Sequence, residues 1–435
     1  METKQKYPMG FYVCSLSFTF ERCAYYAARW LIAVFIVAAV VDGGLGLTAA
    51  DGALMSSNLV AFTYIAPVFG GIITDRWIGA RYCVPVGMVL MGLGYILGAQ
   101  ATDKTLMYVM IALVSIGTGL FKGQISALNG RQFDKKVLDS IFSVQYSFVN
   151  IGSFIGTTLV GIFITRTGNY KMAFTLCGIV MFIGTIWFII GSSYLGDIGK
   201  LPFKVENKEE ENVKAIDIEA KPLTSNDKKR IAAIILVSAF SIVFWLFWYL
   251  AYMPVYYYWP EHMNWVIGGF EVPTAWFDSL NALCCITMGP LLAIVWSKLQ
   301  NRAQGDMSMF KKTALGLILL GVSFGVFALA DVVRGGGVAN LMWIVAFGIL
   351  LSLGEMVFSP LGNSFVSKWA PAKLLSVMMG VWTFATFIAA KSYGYLYAFL
   401  ETLPFAPSYF VVAAIAAVCG VILWIISGKL DKLTD

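Results

Sequence analysis

The sequence predicts an all-α membrane protein of twelve transmembrane helices in two six-helix bundles. Three observations carry that reading. Of the 435 residues, 59% are hydrophobic and 13% charged, whereas a soluble domain is about 25% charged. The apolar residues come in runs of about 20, enough for a helix to cross a bilayer, without the alternation of a barrel strand. One polar segment, residues 196–230, divides these runs into six and six.

The first span covers 11–41 and follows a basic start, METKQKYPMG, which leads into a full-length span rather than a cleavable signal. Spans at 52–73, 82–101, 105–128, 140–165 and 172–194 complete the first bundle, residues 1–195. The insert contains KVENKEEENVKAIDIEAKPLTSNDKKR. Mixed charge and a lack of aromatics make it a flexible linker or a surface amphipathic helix. Spans at 231–257, 274–297, 313–331, 339–360, 374–399 and 408–427 form the second bundle, residues 231–435.

The basic residues orient the chain. With the N-terminus inside, 23 of 31 Lys and Arg fall in inside segments. Lys104, Arg166, Lys171 and Arg334 fall outside, and Arg22, Arg29, Lys122 and Lys391 lie within spans. That asymmetry places both termini in the cytoplasm. The net charge of +6 therefore reflects membrane-flanking loops and not a nucleic-acid partner. The seven cysteines lack metal spacing, and most lie in spans, among them Cys284 and Cys285, as small apolar fillers. No metal cluster, phosphate loop or nucleophile–base set appears, which argues against an enzyme.

The first span contains FTFERCAYYAARW, residues 18–30. A charge at bilayer depth costs on the order of 3 kcal/mol by insertion scales. On a helix, positions 18, 22, 25 and 29 form one stripe, with 21 and 26 beside it. Arg22, Tyr25 and Arg29, flanked by Glu21 and Tyr26, should therefore line a polar cavity. A structural ion cluster is the alternative.

Between spans two and three lies GGIITDRWIGARY, residues 70–82. Its glycine pair, Asp75-Arg76, Gly79 and Arg81 resemble the loop signature of the major facilitator superfamily, which implies that fold and a gating role for Asp75, Arg76 and Arg81. Glu21-Arg22-Cys23-Ala24-Tyr25-Tyr26 resembles the ExxERFxYYG signature of the proton-coupled oligopeptide transporters, a branch of that superfamily. FTYIAPVFGG, GTGLFKGQIS, FSVQYSFVNIGS, the Phe244-Trp245 pair, WFDSLNAL, GEMVFSPLGNSFVSKWAP and MMGVWTF follow in that family's order. The family's bacterial members usually carry two additional helices between the halves, for which residues 196–230 are too polar.

The resemblance implies a peptide symporter working by alternating access, with a cavity between the two bundles. A dipeptide is a zwitterion about 7 Å end to end. Its carboxylate would suit Arg22 and Lys122, with Arg29 nearby, and its ammonium Glu355. Asn150, Asn281 and Ser359 would meet its polar atoms, and Tyr25, Tyr26, Tyr64, Trp245 and Trp382 its side chains. Asn150 and Asn281 read equally as interhelical bonds.

The chain also departs from the family. Phe18 replaces the first Glu of ExxER, Tyr249 and Leu250 stand where the seventh helix has an acid and Gln, Gly123 replaces Pro, and Ala27 replaces Gly. Proton coupling is therefore expected to be altered or lost, with Glu21 and Glu355 as the remaining candidates. Asp278 reads as a solvated residue at the outer end of its span, with a substitute acid as the alternative. Lys391 reads as snorkelling outward, with the cavity as its alternative. His262 falls in an outside loop. The expected setting is the plasma membrane, or the inner membrane of a bacterium. The expected protein is a monomer with no cofactor beyond coupled protons and a small peptide as partner. A different peptide-like or anionic metabolite stays open, as does a non-transporting sensor.

Overall fold

A computed structural model describes residues 7–134, 137–202, 223–302, 307–359 and 361–433. Most of the expected insert, residues 203–222, and Pro360 lie outside the described residues. Helices α1 (Met9–Val37), α2 (Ala49–Arg76), α3 (Ala80–Ala99), α4 (Lys104–Gly130), α5 (Leu138–Thr167) and α6 (Tyr170–Gly191) come first. Then follow α7 (Ser225–Leu250), with short α8 (Tyr252–Tyr257) and α9 (Trp259–His262), and α10 (Trp276–Gln300). The last are α11 (Met309–Arg334), α12 (Met342–Phe358), α13 (Leu361–Trp369), α14 (Leu375–Leu400) and α15 (Phe405–Asp431). Among the described residues ten helices are long and apolar enough to cross a bilayer, and α12 is a shorter apolar one. With the 29-residue α1, interrupted by its three charges, these make the twelve expected.

Three boundaries differ from the sequence reading, each for a local reason. Helix α2 runs to Arg76, so Asp75 and Arg76 lie on its last turn and only a short turn precedes α3. Helix α7 begins at Ser225, inside the segment read as insert, because Thr224 and Asp227 form a reciprocal capping box. The tenth span ends at Phe358 and resumes as α13, as expected where the sequence places Pro360, a residue with no N–H to donate. Two strand pairs also occur among the described residues, each two residues long. Met263–Asn264 lies parallel to Ala339–Asn340. Val266–Ile267 pairs antiparallel with Phe270–Glu271, turned by Gly268 and Gly269 at φ 58° and 83°, the geometry of a Gly-Gly hairpin.

The chain divides into two compact units. The first comprises Met1–Gly46 and Phe62–Asn212, the second Leu47–Ala61 and Val213–Asp435. Helix α2 is thus shared, its first turns belonging to the second unit.

In the first unit small residues let helices approach closely. A Cβ on Gly152 or Gly156 of α5 would collide with the Thr19 or Cys23 carbonyl of α1. A Cβ on Gly70 of α2 would collide with the Gly119 carbonyl of α4. This is the small-residue packing that replaces a hydrophobic drive in lipid. It places α1, α2, α4 and α5 with their polar residues at short range. In the second unit Gly321 and Gly420 give α11 and α15 the same close contact.

Gly156→Leu should therefore lower the unfolding temperature in detergent, since overpacking costs about 1–3 kcal/mol. Gly123→Ala, where nothing lies within 4 Å of the new Cβ, should leave it unchanged or raise it slightly. Comparable losses for both would refute the close-approach account.

Candidate functional site

In the first unit the α1 stripe is buried: Glu21 is 0% exposed, Arg22 and Arg29 6% each. Arg22 donates from Nε and Nη2 to the two Glu21 carboxylate oxygens, both at 2.5 Å. Adjacent side chains do not face each other on a helix, so these two arms curl together. The Arg22 guanidinium lies 4.5 Å from the Tyr25 ring centroid and 5.7 Å from that of Tyr26. Arg29 lies 5.6 Å from the Tyr26 ring. Tyr25 and Tyr26 meet edge to face at 5.4 Å, and the Tyr25 hydroxyl bonds Thr63 Oγ1 at 3.1 Å. The result is a cationic, aromatic surface in which Arg22 already holds an anion.

Lys122 differs. Its ammonium sits 4.4 Å from the Tyr64 ring centroid and forms no ion pair with any described residue. Phe18 explains the missing first Glu: its ring packs 5.5 Å from Phe121, the neighbour of Lys122. Asn150 donates to the Tyr146 carbonyl of its own helix at 3.0 Å. Arg81 donates to the Gly196 carbonyl at 2.5 Å and to Ser192 Oγ at 3.4 Å, tying the start of α3 to the chain beyond α6. Arg76 is exposed and Asp75 half-buried.

In the second unit Glu355 is 7% exposed. Asn281 of α10 donates to Glu355 Oε2 at 2.7 Å and to Ser352 Oγ at 3.0 Å, so Asn281 bridges α10 and α12. The Cys285 thiol lies 3.9 Å from the same carboxylate oxygen. Half-buried Trp245 stacks on Tyr249 at 5.8 Å, and Tyr249 stacks on Tyr393 at 5.6 Å. The position of the family's seventh-helix acid is therefore an aromatic layer. Phe358 packs between Phe244, at 4.1 Å, and Trp382, at 6.3 Å. Ser359 is half-buried beyond it, and Gly362 lets α13 sit directly on the Trp382 ring.

Two readings need correction. Asp278 is not solvated: it is 3% exposed and accepts a 2.5 Å hydrogen bond from the Tyr256 hydroxyl. Lys391 does not snorkel outward, because its ammonium donates to Asn58 Oδ1 on the first turns of α2, within the second unit. A buried amide offers that ammonium an acceptor which lipid lacks. His262 stacks on Tyr258 at 4.0 Å, and its Nδ1 lies 2.7 Å from the Tyr258 carbonyl. Asn58, Ser352 and Tyr256 were missed by sequence reasoning. Asn58 had a usable signal, an amide inside an apolar run, whereas Tyr256 is one of several tyrosines in YYYW and carried none.

The profile described as Major Facilitator Superfamily matches residues 22–390. An uncharacterized transporter, YclF, of Bacillus subtilis (strain 168) is 25% identical, covering 98% of this chain and 95% of its own length. A di-/tripeptide transporter of Lactococcus lactis subsp. cremoris is 24% identical over 95% of this chain and 94% of its own. The crystal structure of a peptide transporter POT in complex with sulfate superposes with TM-score 0.88 at 25% identity, covering 98% of this chain and 96% of that one. The resemblance to proton-coupled oligopeptide transporters read from the motifs is thus the one these comparisons return.

Removing one partner of a buried ion pair costs about 3–5 kcal/mol. Glu21→Ala should accordingly lower the detergent unfolding temperature sharply, and adding Arg22→Leu should recover part of the loss. If the double variant is less stable than the single one by the full cost of a second lesion, the pair is not a coupled unit.

Proposed function

The chain belongs to the Major Facilitator Superfamily, and from that premise we propose that it moves di- and tripeptides across a membrane by alternating access. The observation that carries this reading is Lys122, a cation in mid-span held over an aromatic face and engaged in no ion pair among the described residues. A half-buried ammonium so placed is matched by an anionic ligand group. Glu355, oriented by Asn281, supplies the opposite charge in the second unit. A short peptide carries both complements, a carboxylate for Lys122 with Arg22 and Arg29, and an ammonium for Glu355. Trp245, Trp382, Tyr25, Tyr26 and Tyr64 supply aromatic surface for side chains of varied shape. Asn150 and Ser359 complete the polar set. The relative named for di- and tripeptides spans almost the whole of this chain, which supports the same substrate class.

A transported ligand must bind one conformation more tightly than another. That differential affinity is what alternating access requires. The protein acts as a monomer, without a cofactor or covalent chemistry, in the plasma membrane, or the inner membrane if bacterial, with both termini in the cytoplasm. Asp75, Arg76 and Arg81 gate its inner side.

In proteoliposomes the protein should exchange labelled dialanine in counterflow, inhibited by other dipeptides and not by unrelated anions. Lys122→Gln should weaken dialanine binding roughly 10- to 100-fold, the loss of one charge-assisted contact. The same substitution should leave binding of dialanine amide, which lacks the carboxylate, within about threefold of the unsubstituted protein. Equal losses for both ligands would remove Lys122 from carboxylate recognition, and counterflow driven only by unrelated anions would overturn the peptide assignment.

A further inference from the structure

We propose that the groove between α1, α5 and α6 is a lipid site, which takes one acyl chain of an anionic phospholipid along its floor and the lipid phosphate at Arg166. The inference needs only that these three helices cross a bilayer, and it is independent of the transported ligand.

The groove lies wholly in the first unit and measures about 490 Å³, the size of a small-molecule site. Helices α1 and α5 run parallel, since Gly152 meets Thr19 and Gly156 meets Cys23. Helix α6 runs the other way, with Gly184 against Phe20 and Gly191 against Val13. The floor is Cys23, Ala24 and Ala27 of α1, side chains too short to fill the space between the flanking helices. At about 3.6 residues per turn, these positions fall on the side of α1 opposite Arg22, Tyr25 and Arg29. The groove and the polar stripe therefore share a helix and not a surface. On the walls Leu159 and Leu176 are 59% and 37% exposed, and in a bilayer that exposure is to lipid.

One end of this apolar groove is charged. Gly156, Leu159, Phe163 and Arg166 line it from successive turns of one face of α5. From Gly156 to Arg166 the helix rises about 15 Å, half of a hydrocarbon core about 30 Å thick. The groove is thus one leaflet deep, with its cation at the headgroup end. Arg166 is exposed and forms no ion pair with any described residue. The end of α5 is closed without it. Gly168, at φ 61°, donates to the Ile164 carbonyl at 2.8 Å, and Thr167 Oγ1 donates to the Phe163 carbonyl at 2.8 Å. A guanidinium so placed suits a phosphodiester bidentately. Lys171, exposed in the first turn of α6, adds a second positive charge at that end. A free phosphate would use only the charged end and a neutral hydrocarbon only the floor, whereas an anionic phospholipid uses both.

The test uses the purified full chain in detergent and phosphatidylglycerol with a photoreactive diazirine on one acyl chain. Cross-links should map to the groove residues of α1, α5 and α6. An even spread over other lipid-facing helices, such as α11 and α15, would mean a surrounding lipid shell only and would overturn the proposal. In native mass spectrometry Arg166→Gln should weaken phosphatidylglycerol binding roughly tenfold, the loss of one charge-assisted contact. Ala27→Leu, which fills the floor, should lower the cross-linking yield by a similar factor. Unchanged affinity for Arg166→Gln, or unchanged yield for a folded Ala27→Leu, would overturn it. Glycerol phosphate, a head without a chain, should not compete even in large excess. Competition by it would reduce the groove to a phosphate site, against the proposal. If Ala27→Leu does not fold, the Arg166→Gln titration decides, because an exposed side chain can be exchanged without disturbing the helix packing.

Discussion

Lipid offers no partner to a charge, so each ionised side chain at bilayer depth in this protein must be answered by the protein itself. Several structural choices follow from that constraint. Arg22 takes its sequence neighbour Glu21. Lys391 takes the Asn58 amide, and Asn281 serves Glu355. Lys122 has only the face of Tyr64 among the described contacts, which is a weaker answer than a carboxylate. Under the proposed function an anionic group of the ligand answers that remaining demand.

Substitution of acids by aromatics is the second theme. Phe18 and Tyr249 stand where related transporters carry carboxylates, and both are buried against other rings, Phe121 and the Trp245–Tyr393 layer respectively. These exchanges put a larger, uncharged ring in place of a carboxylate, while in the second unit Asp278 and Asn281 lie one turn apart on α10.

Local features of the fold were legible in the sequence. Apolar run length foretold the twelve spans, and the charged stripe of α1 announced a buried polar face. Thr224-Ser225-Asn226-Asp227 contained the cap that starts α7 early, although the mixed charge around it favoured a linker reading. Pairings between distant positions were not legible. Lys391 with Asn58 and Tyr256 with Asp278 depend on which helices become neighbours, and a single helix's periodicity is silent on that. Asp278 illustrates the error: its proximity to the end of a span suggested water, but ring packing by Phe277, Phe347 and Tyr252 closes that end.

The adjacency of Glu21 and Arg22 has a consequence for biogenesis. Two charges supplied by neighbouring residues neutralise each other as soon as their turn of helix exists, before any later span has been synthesised. The first segment can thus enter the bilayer with one of its two arginines already masked by a carboxylate, while Arg29 meets the Tyr26 ring of the same helix.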